Sequence, residues 1–122
     1  MSKLSPLEIV RQFQKSVATG SEDWNSIVSD QIVFKGPVDQ VSGKERFIQL
    51  NRGFFPLVQE YKPVNAFEGT NSVCLEGIFK VKTPKGNVID LETAEVYSIK
   101  EEKIENVRVY YDAEQFRKEF SR

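Results

Sequence analysis

Apolar residues recur at helical spacing in the first half of this chain and at strand spacing in the second. Leu7, Ile9, Val10, Phe13 and Val17 form one stripe behind Ser5-Pro6-Leu7-Glu8. In that opening Ser5 caps, Pro6 suits the first helical position and Glu8 completes a capping box. Gly20 is expected to end the helix. Ser21-Glu22-Asp23-Trp24 predicts a short second helix, with Trp24, Ile27 and Val28 facing inward. Residues 31–35 read as a short strand closed by Gly36-Pro37. Ser42-Gly43-Lys44-Glu45 repeats the Ser-x-x-Glu pattern and predicts a third helix that buries Phe47, Ile48, Leu50 and Phe54, with Pro56 after its end.

The second half predicts strands over 61–67, 72–82, 88–99 and 104–111. Pro84 and Gly86 make 83–87 a hairpin turn, and Lys100-Glu101-Glu102-Lys103 is the next turn. Asp112 is placed to cap a short last helix docked by Phe116 and Phe120. Helices followed by a four-stranded antiparallel meander give an α+β layout, read as one domain over residues 1–122.

Strand side chains alternate, so each strand has two faces. One face of the 88–99 strand carries Ile89, Leu91, Thr93, Glu95, Tyr97 and Ile99. The apolar faces of its neighbours carry Val73, Leu75, Gly77, Phe79 and Val81 on one side, and Val107, Val109 and Tyr111 on the other. Matching these faces puts Glu95 toward the core, and needs turns of odd length or a bulge. A charged, unpaired carboxylate on an apolar face costs several kcal/mol, so such a group is usually neutral, paired or open to a cavity. Three readings of Glu95 stand: a satisfied core network or rim position, an acid on a cavity wall, or, with an even last turn, a cross-strand partner of Arg108. Tyr97 and Tyr111 read as core, or as pocket residues with hydroxyls inward. Trp24 reads as a wedge between helix and sheet. Asp39 and Gln40 read as loop surface, and Cys74 as an inert thiol.

Composition narrows the chemistry. There is no histidine and one cysteine in 122 residues, which removes Ser-His-Asp and Cys-His catalysis, imidazole switches, internal disulfides and multi-cysteine zinc sites. Seventeen basic against eighteen acidic residues is not the charge pattern of a nucleic-acid binder. No apolar run approaches a membrane span, and the first residues have no apolar signal segment, so the expected location is cytoplasmic. The glycines form no phosphate-binding loop, and neither cofactor nor metal is expected.

The order of a capped helix, a helix at Trp24, a strand ending Val33-Phe34-Lys35-Gly36-Pro37, Ser42-Gly43-Lys44-Glu45 opening a helix, and a closing Tyr111-Asp112 resembles the nuclear transport factor 2-like superfamily, in its SnoaL-like and ketosteroid-isomerase-like branch. The resemblance covers nearly the whole chain. It implies a cone-shaped curved antiparallel sheet wrapped around the N-terminal helix, with two further helices and a short C-terminal one. It also implies a pocket at the open end and a homodimer through the outer sheet face. In steroid isomerases of this kind an Asp before a Pro is the base; that position holds Gly36. A helix tyrosine falls at Phe13, and a protonated acid on the sheet falls near Glu95. The epoxide-hydrolase pattern of Arg-x-Asp with a last-strand Asp is absent, since those positions read Glu76-Gly77-Ile78 and Val109.

Two functions are therefore open. In one, Glu95 is a catalytic acid or base acting on a small apolar molecule in a pocket lined by Phe13, Trp24, Phe34, Phe54, Thr93, Tyr97, Val107, Val109 and Tyr111. In the other, the cone is a non-catalytic ligand-binding or protein-interaction module, plugged in the second case by Phe34, Phe47, Phe54, Phe79 and Tyr97.

Overall fold

Ser5 caps the first helix, α1 (Pro6–Ala18), as its sequence predicts. Glu8 N donates to Ser5 Oγ at 3.2 Å, and Ser5 N donates to Glu8 Oε1 at 2.9 Å. These bonds hold the Glu8 carboxyl below the usual carboxylate range. A further helix-end donor, Leu7 N, reaches Glu68 Oε2 at 2.9 Å and ties α1 to the sheet. The structure is a computed structural model and describes residues 4–19, 21 and 23–120. Gly20 and Glu22, and the side chain of Val17, lie outside the described residues.

A short 3-10 helix (Asp23–Ile27) carries Trp24, which is 3% exposed and meets Phe13 and Phe47 edge-on at 5.4 and 5.8 Å. Val28 belongs to the following strand rather than to that helix. The strands are β1 (Val28–Lys35), β2 (Gln40–Ser42), β3 (Val58–Glu68), β4 (Ser72–Lys82), β5 (Val88–Lys100) and β6 (Lys103–Tyr110). They form one sheet in the order β2-β1-β6-β5-β4-β3. The sheet has six strands where the sequence predicts five. The added one, β2, lies where a loop is expected and pairs antiparallel with β1. β1 lies parallel to β6, Phe34 opposite Val107, while the other pairs are antiparallel.

The second long helix, α2 (Lys44–Phe54), does not use the predicted capping box. Ser42 ends β2, and the cap is Gly43 at φ 96, with no side-chain capping bond. Gly43 N donates instead to Ile32 O at 2.8 Å, so the strand pairing takes the donor that a cap would orient. α1 and α2 close over the concave face of the curved sheet. Ile9, Val10, Phe13, Phe47, Val73 and Tyr97 are among the buried residues of the core between them.

The turns fix which face looks inward. Thr83 N donates to Asn87 O at 2.7 Å around Pro84-Lys85-Gly86, with Gly86 at φ 88, an odd loop of the expected kind. The β5–β6 turn is even: Lys100 pairs with Lys103 around Glu101 and Glu102, at φ 53 and 62. A bulge restores the register, because Ile99 pairs with Ile104 while Ser98 pairs with Asn106. Glu95 therefore lies opposite Val109, and Arg108 opposite Val96, which removes the Glu95–Arg108 pairing. Left-handed backbone costs about 1–2 kcal/mol for a residue with a side chain. Glu101→Asn with Glu102→Gly is expected to raise stability by about 1 kcal/mol, read as a higher urea midpoint at unchanged slope. An unmoved midpoint would show that the turn carries no such strain.

The last helix, α3 (Ala113–Phe120), is capped by Asp112, whose Oδ1 accepts from Glu114 N at 3.0 Å and Gln115 N at 3.2 Å. Its far end is strapped to the β4–β5 turn. Glu119 Oε1 accepts from Thr83 Oγ1 at 2.9 Å and from Asn87 Nδ2 at 3.0 Å.

Candidate functional site

The inner row of β5 brings Thr93, Glu95 and Tyr97 to the concave face, between Gly77 of β4 on one side and Val107 and Val109 of β6 on the other. Glu95 sits in mid-sheet, where α1 crosses it. Gln14 Nε2 of that helix donates to Glu95 Oε1 at 3.5 Å. The Tyr97 hydroxyl, two residues along the same face, also donates to the carboxylate. Tyr61 of β3 leans in from the third side and hydrogen-bonds Gln14. Its hydroxyl and ring edge lie over Gly77, where any Cβ would overlap them.

Burial dominates the electrostatics. Loss of water pushes the Glu95 carboxyl up to about 7, and the Tyr97 hydrogen bond only partly opposes that. Burial and then the Glu95 charge push Tyr97 well above its ordinary value. Burial first and Glu95 second raise Tyr61 too. Glu95 keeps some accessible surface, and that surface belongs to cavity walls.

Two cavities meet at this carboxyl. The smaller, about 200 Å³, lies between α1 and β3 and is lined by Gln14, Gln59, Glu60 and Tyr61 besides Glu95 and Tyr97. The larger, about 480 Å³, fills the open end of the cone. Both are also lined by Phe13, Phe55 and Phe79.

Of the predicted pocket residues, Phe13, Phe34 and Phe54 line the larger cavity. Thr93, Tyr97, Val107, Val109 and Tyr111 line it too. Trp24 lines neither cavity: it packs behind Phe13 and Phe47, as its wedge role implies. The five aromatic side chains that would make a plug, Phe34, Phe47, Phe54, Phe79 and Tyr97, form walls instead, and the space between them stays open. That volume is within the range of small-molecule pockets, about 300–1,000 Å³.

The structure adds residues that sequence reasoning passed over. Gln14 and Tyr61 complete the polar cluster. Asp39, expected on the surface, lines the larger cavity from the β1–β2 loop, where its carbonyl accepts from Gly36 N at 2.8 Å. Phe116 and Phe120 of α3, stacked at 4.2 Å, close part of the mouth. The signal for Gln14 was present, since it lies four residues after Val10 and seven after Leu7, on the apolar stripe.

A carboxyl that titrates near neutrality populates both its acid and its base forms, the condition for efficient proton transfer. Gln14 and Tyr97 orient it, and the apolar wall keeps water from levelling its proton affinity. Among the described residues no cluster of histidine, cysteine or carboxylate side chains is placed to hold a metal ion.

The architecture recurs in solved structures. A nuclear transport factor 2-like protein of unknown function from Burkholderia pseudomallei superposes with a TM-score of 0.85 at 11% identity, over 98% of this chain and 100% of that one. A candidate SnoaL-like polyketide cyclase from Jannaschia gives 0.81 at 13% identity, over 99% and 98%. A de novo designed protein with a curved sheet gives 0.73 at 19% identity, over 93% and 90%. These likenesses establish the fold alone. No curated protein matches the chain. Residues 10–107, from the middle of α1 to the centre of β6, match the SnoaL-like domain, and the chain belongs to that family.

Proposed function

We propose that this protein binds a small, largely apolar molecule in the cone cavity and that Glu95 exchanges a proton with it, in cofactor-independent chemistry of the isomerase or cyclase type. The observation that carries this reading is the Glu95 carboxyl, poised near neutral pH on the wall of an open cavity. The resemblance of the fold to a candidate polyketide cyclase supports the substrate size and the reaction type. Gly36, at the position of the isomerase base, favours the second reading, a ligand-binding protein without catalysis. Phe67 and Tyr110, each 55% exposed, share the outer sheet face with Cys74 and Val96 and support a homodimer through that face. We place it in the cytoplasm, and no helix among the described residues is long and apolar enough to cross a membrane.

The test is a thermal-shift screen against steroids, polyketide fragments and terpene epoxides, wild type beside Glu95→Gln. A ligand at a hundredfold its dissociation constant adds about 2.7 kcal/mol, a shift of roughly 10 °C for a chain of this size. Turnover of a hit should fall by about 10²–10⁴ in Glu95→Gln while its binding persists. Turnover at the wild-type rate in that variant would remove Glu95 from the chemistry.

A further inference from the structure

The cavities are charged unevenly for a chain so nearly neutral. Seventeen basic and eighteen acidic residues are present, yet among the described residues every charged side chain lining the two cavities is a carboxylate: Asp39, Glu60 and Glu95. No lysine or arginine lines either one. Ten of the side chains around the larger cavity are aromatic. Ring faces carry negative charge density and attract cations, more strongly where water is excluded.

The acids differ in position. Glu95 is deep, whereas Asp39 is exposed and lines the larger cavity together with Tyr111. The Tyr111 hydroxyl is pushed up to about 12, first by burial and then by the Asp39 charge. Arg117 acts on it in the opposite sense, but less, and does not line the cavity. The cavity wall therefore combines an exposed carboxylate with aromatic side chains, the pair of features that attracts an ammonium group.

We infer that the larger cavity takes a ring-bearing organic cation, an amine protonated at neutral pH, with its ammonium between Asp39 and Tyr111 and its rings among the phenylalanines, and that it rejects carboxylates. This rests on the cavity being a small-molecule site. It adds the charge class of the ligand and assigns Asp39 the selecting role. The ring system then lies toward Glu95, so cation binding and proton exchange involve different carboxylates.

The experiment uses the neutral fluorophore N-phenyl-1-naphthylamine, displaced at low salt by three molecules of one shape. These are 2-naphthylmethylamine (a cation), 2-naphthylmethanol (neutral) and 2-naphthoate (an anion). The amine is expected to displace the probe about tenfold more tightly than the alcohol, and the naphthoate more weakly than either. Asp39→Asn, a change on an exposed loop, should bring the amine to the level of the alcohol and leave the alcohol unchanged. Raised salt should shrink the same preference. Equal displacement by amine and alcohol in the wild type would overturn the inference while leaving the cavity reading intact, as would a preference that survives Asp39→Asn. Failure of the fluorophore and of all three competitors to bind would overturn both.

Discussion

Wild-type protein is expected to lose up to about 3 kcal/mol of stability relative to Glu95→Gln as the pH rises from about 5 to 8. The folded state holds the Glu95 proton to about 7, whereas an ordinary glutamate releases it near 4.5. Between those values the native state binds more protons than the unfolded state. Stability therefore falls with rising pH across that window, the reverse of an ordinary salt-bridged carboxylate. That difference, at about 1.4 kcal/mol for each tenfold change in proton affinity, sets the upper bound. Glutamine cannot titrate, and its amide oxygen still accepts from Gln14 and Tyr97. The variant curve should therefore lack this slope, and the difference between the two melting temperatures should reach roughly 10 °C. Parallel curves for the two proteins would place the Glu95 carboxyl in water.

Gly77→Ala is the second change with a large expected effect, about 1–3 kcal/mol of destabilisation. The reason is local: the Tyr61 hydroxyl and ring edge occupy the space of the missing methyl group. The ring also packs on Phe79 with centroids 4.5 Å apart, so it cannot slide along the strand and has to swing away from the sheet. In doing so it leaves Gln14, which in turn holds Glu95. The ionisation of Glu95 should move along with the fold. A double-mutant cycle isolates the mechanism: once Tyr61→Ala has emptied the space, Gly77→Ala should cost little. Additive costs for the two changes would show that Gly77 matters for its backbone alone.

The placement of Glu95 was legible because it followed from alternation, which short-range sterics enforce on every strand. Pro84 and Gly86 supplied the odd turn that keeps the β4–β5 register. The second turn was harder to read. Glu101 and Glu102 do not announce left-handed backbone, and the bulge that corrects their even count leaves no mark in composition. The strand β2 is three residues long, too short for a period to show. The Ser-x-x-Glu pattern at Ser42 looked identical to the one at Ser5, but only Ser5 is free of a strand and able to cap. The site divided in the same way. Gln14 interrupts an apolar helix stripe as Glu95 interrupts an apolar strand face, and both are local anomalies. Tyr61 and Asp39 reach the cavities through tertiary geometry, from a largely exposed strand and from an exposed loop at the cavity's edge.

The pairing of β1 with β6 has a consequence for how the protein is made. β1 ends at residue 35, and the strand beside it does not begin until residue 103. A ribosome working from the N-terminus thus releases α1, β1, β2 and α2 well before the scaffold that covers them exists. During that interval Ile9, Val10, Phe13 and Phe47 have at most the β1–β2 ribbon to pack against. Contacts so distant in sequence also slow folding, because the intervening chain must be closed first. The newborn N-terminal half is then the stretch most exposed to chaperones and to its own neighbours on a polysome. A chain truncated before Lys103 would leave β1 and β2 as an unsupported ribbon, an invitation to intermolecular strand pairing.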